Sequence, residues 1–129
     1  MKSFLIVFLV FVLISCSDDD TNIISPISLN GKWIEVDTKS DTLTFNTWDD
    51  LEIMILDRGK EVRNGILLPK FKSGSYTYRL SEGKISLNWM LSSNSAFNDY
   101  DLKVSGKTMN IGNFYNSSSG TVLTFEKMD

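Results

Sequence analysis

The chain has 129 residues, with 13 basic and 16 acidic side chains, a single cysteine and no histidine. Those absences exclude Ser-His-Asp and Cys-His catalysis, histidine-centred acid–base chemistry, the usual zinc sites and any intrachain disulfide. The mild negative balance leaves no electrostatic footprint for nucleic acid, and no cofactor is expected.

The first element is Met1-Lys2-Ser3 followed by eleven apolar residues, Phe4 to Ile14. A positive start, an apolar core and the small Ser15 are the three parts of a secretory signal peptide. As a helix, eleven residues rise about 16 Å, too short for a hydrocarbon core of about 30 Å. Leu13-Ile14-Ser15-Cys16 resembles the lipobox of bacterial lipoproteins. The resemblance implies that residues 1–15 are removed and that the Cys16 thiol carries the lipid. Two or three acyl chains at about 0.8 kcal/mol per buried methylene make a stable anchor. Ser17-Asp18-Asp19-Asp20 is similar to the acidic export signal of Bacteroidota-type lipoproteins, which implies an outer-membrane protein facing the cell exterior. The alternative reading of that run is a solvated linker. Residues 16–28 then form a lipidated acidic tether, and residues 29–129 one domain. Removing 15 of the 129 residues leaves 114, enough for a single core.

From Gly31 onward apolar and polar residues alternate with period two, the pattern of half-buried strands. Expected strands are 32–38, 41–47, 50–57, 74–80, 83–91, 98–105, 107–114 and 120–127. Turn residues separate them at Ser81-Glu82-Gly83, Ser105-Gly106-Lys107 and Asn116 to Gly120. A long meander of short strands is rid of its edges by closing on itself. The expected fold is all-β, a small eight-stranded antiparallel up-and-down barrel.

Asn30-Gly31-Lys32-Trp33 opens this meander. Gly-x-Trp at that place resembles the lipocalin and calycin superfamily, and the pattern continues through "SGSYTYRLSEGKISLNW" and "YDLKVSGKTMNIGNF" to "GTVLTFEKM". The resemblance covers Leu29 to Met128. It implies that Gly31 and Trp33 close one barrel end. Two features depart from the family: the late cation is Lys127, which lacks an arginine's planar fork, and alternation sends Glu35 inward with Trp33. Either a bulge rephases that strand, or Glu35 lies near the barrel mouth.

Alternation assigns to the interior Leu43, Phe45, Leu51, Ile53, Ile55, Tyr76, Tyr78, Leu80, Ile85, Leu87, Trp89, Leu91, Tyr100, Leu102, Val104, Met109, Ile111, Leu123 and Phe125. Trp48, Met54 and Leu56 fall on the outer face. An eight-stranded barrel is either filled by such side chains or holds one small ligand. The hydroxyls of Tyr76, Tyr78 and Tyr100 need partners when buried, and could equally serve a pocket. Two carboxylate pairs, Asp49-Asp50 and Asp99/Asp101, are poorly placed for catalysis. Neighbours on a strand point to opposite faces, and Asp99 and Asp101 share the face opposite Tyr100 and Leu102. No enzyme is expected.

The connection Arg58–Ser73, "RGKEVRNGILLPKFKS", gathers five cations, one acid and four large apolar residues. It reads either as a hairpin extension folded over one barrel end or as a lid or docking patch. In the second case Phe71 and Leu68 supply contact area, and Arg63 and Lys70 hold a negative group. The functional expectation is a surface-anchored, non-catalytic lipocalin-like lipoprotein that binds a small apolar or amphiphilic ligand or acts as an envelope accessory module. The alternative is a protein-binding lipoprotein, an inhibitor of a hydrolase or an immunity protein against a toxin.

Overall fold

A computed structural model describes residues 24–116 and 120–129, with the side chain of Ile27 left aside. The leader, Cys16 and the Ser17–Asp20 run lie outside the described residues. Among these there is one short helix, α1 (Pro26–Leu29), and ten strands. They are β1 (Gly31–Glu35), β2 (Thr42–Trp48), β3 (Leu51–Asp57), β4 (Lys60–Arg63), β5 (Ile66–Pro69), β6 (Gly74–Ser81), β7 (Lys84–Trp89), β8 (Asn98–Ser105), β9 (Thr108–Gly112) and β10 (Val122–Lys127).

Eight strands close into an antiparallel barrel in the order β1-β10-β9-β8-β7-β6-β3-β2, each paired with its neighbours in the meander. This is a lipocalin-like topology. Closure is made by β1 against β10, with Trp33 opposite Lys127 and Glu35 opposite Phe125. Because the strands alternate in direction, α1 and the β2–β3, β6–β7 and β8–β9 turns share one end. The longer connections share the other, here called the mouth. Among the described residues the core runs from Leu29 to Phe125, with Ile24 packed against it.

The closed end is built around Trp33, which is fully buried and donates its indole N–H to the Leu29 carbonyl at 2.9 Å. Lys127 lies over its ring, with Nζ 5.5 Å from the centroid. The missing guanidinium is thus replaced by a simple cation–π contact. Gly31 makes room for it: φ is +126°, and a Cβ there would stand 3.2 Å from Lys127 Cε. Both residues of the Gly-x-Trp pattern therefore have a physical reason. Glu35 does point inward with no bulge between it and Trp33, and it lies at the mouth, 3% exposed. Its carboxylate accepts the Thr38 backbone N–H at 2.5 Å.

Three expectations are corrected. First, β3 has the opposite phase. Met54 and Leu56 are buried, at 0% and 1% exposure, whereas Leu51 and Ile55 stand out at 49% and 42%. The register explains it: Phe45 pairs with Met54 and Leu43 with Leu56, and directly opposed residues share a face. Ile53 is half-buried, on the same outer face. Second, Asp50 is not in a strand. Asp49 and Asp50 form the β2–β3 turn, with φ of 51° and 61°. Third, β7 ends at Trp89, so Leu91 lies beyond the sheet and is 71% exposed instead of interior.

The interior is filled. Leu87, Met109, Ile111, Leu123 and Phe125 occupy it together with Phe45, Met54 and the aromatic rings of Tyr76 and Tyr78. The two tyrosine hydroxyls are spent within the protein: Tyr76 donates to the Lys72 carbonyl at 2.5 Å and Tyr78 to Glu52 at 3.1 Å. Phe114 and Tyr115, from the β9–β10 connection, tuck in under the mouth with exposures of 7% and 6%. Asp99 and Asp101 are exposed, as alternation requires, and are held by Ser86 and Lys84 across the strands.

Candidate functional site

The Arg58–Ser73 connection contains a β-hairpin, β4 and β5, which pair only with each other. Ile66, Leu67 and Leu68 therefore belong to a strand of a hairpin extension, one of the two readings of this segment. Its turn is Asn64-Gly65, with φ of 51° and 77°, the type I′ geometry that matches strand twist. Val62, Ile66, Leu67 and Leu68 remain exposed at 69%, 59%, 61% and 37%. The hairpin is fastened at its base. Lys70 N–H donates to the Gly59 carbonyl at 3.0 Å, and Arg58 Nη1 to the Phe71 carbonyl at 2.9 Å.

Arg58 also ties this base to the barrel. Its guanidinium lies 3.6 Å from the buried Asp41 carboxylate and 4.9 Å from the centroid of the Tyr115 ring. Burial, and then the nearby Asp41 and Glu35 carboxylates, push the Tyr115 hydroxyl well above its ordinary range. Among the described residues no cluster of three or more Asp, Glu or Cys side chains could hold a metal ion.

Between the hairpin base and the barrel lies a concavity of about 330 Å³. Phe71, Trp89 and Leu91 form its apolar walls, and Arg63, Lys70 and Lys72 its polar ones. Phe71 meets Trp89 edge-on at 5.8 Å, and Tyr76 stacks beneath Trp89 at 6.4 Å. The Trp89 indole N–H is taken by the Ser73 carbonyl at 3.2 Å. Gly74 has a φ of +126°, which residues other than glycine rarely adopt, and a Cβ there would stand 3.1 Å from Leu91 Cδ1.

Of the residues singled out from sequence, Arg63, Lys70 and Phe71 come together at this concavity. Arg63 is partly spent on the hairpin, pairing with Glu61 at 3.5 Å and donating to the Pro69 carbonyl at 2.9 Å. Leu68 sits on the hairpin strand, outside the lining. Tyr76 supports Trp89 from below. Tyr100 packs against Phe114 at 5.9 Å under the mouth, and Tyr78 points toward the closed end, where Glu52 holds it. Neither of those two lines the concavity. Sequence reasoning missed Lys72, Trp89 and Leu91 as wall residues, since alternation had placed the last two inside the barrel. A comparison with protein-family models, with curated proteins and with solved structures finds no match.

Proposed function

We propose that this chain is a surface-anchored, non-catalytic lipocalin-like lipoprotein that binds a small apolar or amphiphilic ligand at the barrel mouth, outside the barrel. The observation that carries this reading is the filled interior beside an open aromatic concavity, with Phe71 58% exposed on its wall. Its volume of about 330 Å³ falls at the small end of the roughly 300–1,000 Å³ of small-molecule sites. Anchoring rests on the lipobox Leu13–Cys16, and surface display on Ser17 to Asp20. Helix α1, which overlaps the last residues of the expected tether, packs at the closed end, so the concavity lies at the opposite end of the barrel.

Chemical-shift mapping of the full chain with a short-chain amphiphile tests the binding reading. Shifts should concentrate on Phe71, Trp89 and Leu91; a response centred on Leu87, Met109 and Ile111 would place the ligand in the barrel and defeat it. Cys16→Ala should release the protein from the membrane fraction, and unchanged fractionation would refute the anchor.

A second reading, a protein-binding lipoprotein, is favoured by the hairpin alone. Two-stranded hairpins are marginal by themselves, and this one exposes Val62 and Leu67 on one face and Ile66 on the other. A hydrolase inhibitor or toxin immunity protein would use such a projection. Exchanging Ile66, Leu67 and Leu68 for serine separates the readings, because these residues do not line the concavity. Amphiphile binding should survive the exchange under the first reading, and capture of a protein partner should be lost under the second.

A further inference from the structure

We infer that the mouth concavity is specific for anionic amphiphiles, with Lys72 as the residue that pairs with the negative group. The inference rests on the binding reading above and adds the ligand's charge and the residue that reads it. Lys72 is half-buried, and its Nζ lies 5.1 Å from the Trp89 ring centroid and 5.6 Å from that of Phe71. Among the described residues the ion pairs are Arg58–Asp41, Arg63–Glu61, Lys84–Asp101 and Lys107–Asp129. Lys72 and Lys70 are in none of them. No carboxylate lines this concavity. The adjoining one, of about 300 Å³, shares Phe71 and Lys72 as its wall and has no acid either.

The imbalance is local and strong. Residues 58–72 hold Arg58, Lys60, Arg63, Lys70 and Lys72 against Glu61, in a chain whose net charge is −3. An ammonium held against two aromatic faces has lost part of its water, and an incoming anion restores the lost interaction in a less polar setting. The aromatic walls and Leu91 meanwhile cover an apolar tail. A cationic amphiphile would meet the same walls and be repelled. The shared chemistry is therefore a carboxylate, phosphate or sulfate on a short apolar chain, either free or displayed by a bilayer.

The test titrates the purified full chain by calorimetry with decanoate, decanol and decyltrimethylammonium. Decanoate should bind about tenfold more tightly than decanol, and the cation should not bind measurably. Lys72→Gln should bring decanoate down to the level of decanol while leaving decanol unchanged, and Lys72→Arg should restore the preference. Cosedimentation with phosphatidylglycerol vesicles distinguishes the sources: a Lys72-dependent pellet assigns the site to bilayer anions, its absence to free ones, and both uphold the inference. Equal binding of all three ligands, with shifts still at Phe71 and Trp89, overturns the charge assignment but leaves the mouth reading intact. An anion preference that survives Lys72→Gln overturns the role of Lys72. If no ligand binds, both readings fall.

Discussion

Trp33 shows how much one residue decides. Its ring is fully buried, its N–H is satisfied by Leu29, and its face is covered by Lys127. Trp33→Ala therefore removes a core side chain, uncovers Leu29 and frees a cation at once. Large aromatic-to-alanine changes in cores cost about 3–5 kcal/mol, a large share of the roughly 5–15 kcal/mol a domain possesses. The full chain carrying this change should unfold or melt many degrees lower in a thermal scan. A melting temperature within a degree or two of the parent would contradict the burial. The Gly-x-Trp resemblance implied this arrangement and the sequence offered Lys127 as the late cation; its seat over the Trp33 ring is what the structure adds.

Among the elements, β3 is the instructive one. Leu51, Ile53 and Ile55 on one face and Met54 and Leu56 on the other make both faces apolar, so alternation gives no unique phase there. The barrel chose the face that carries Met54 because β2 pairs Phe45 with Met54 and β6 pairs Tyr76 with it. Met54→Ala should cost about 2–5 kcal/mol, as a buried large-to-small change does. Ile55→Ala, at a site already 42% exposed, should cost about 1 kcal/mol or less. Urea unfolding of the two variants decides the phase; the reverse order would restore the sequence-based one. The β4–β5 hairpin was legible in principle. Asn64-Gly65 between "KEVR" and "ILLP" is the strongest short-range hairpin signal. The hairpin-extension reading assigned it no strands, because β5 has no polar–apolar alternation and all four of its residues are exposed.

At the scale of the whole molecule, all four tyrosines are drawn into the core or its margin. Burial pushes the hydroxyls of Tyr76, Tyr78, Tyr100 and Tyr115 above their usual value of 10.0. Below about pH 10 these phenols are protonated in both folded and unfolded chains and add no pH dependence. Above it the unfolded chain gives up its protons while the folded chain keeps them, so stability falls as pH rises. The barrel should therefore hold to about pH 10 and then unfold in alkali, with phenolate absorbance appearing together with loss of far-ultraviolet dichroism. Four phenols titrating near pH 10 with the dichroism unchanged would show that they are exposed.

While the plug at Trp33 was implied by the resemblance of Gly31-Lys32-Trp33 to a known family, the sequence by itself determined the eight barrel strands, their antiparallel meander order and the place of the unusual cationic segment. Those are local or near-neighbour properties: period-two alternation, turn residues and hairpin connections fix them without reference to distant residues. The tertiary structure alone decided the phase of β3, the filling of the interior and the meeting of Phe71, Lys72, Trp89 and Leu91. Each depends on which strands stand opposite one another once the barrel closes, and on how far Phe114 and Tyr115 reach under the mouth. Local patterning carries no record of those distances, because side chains far apart in sequence become neighbours only after closure.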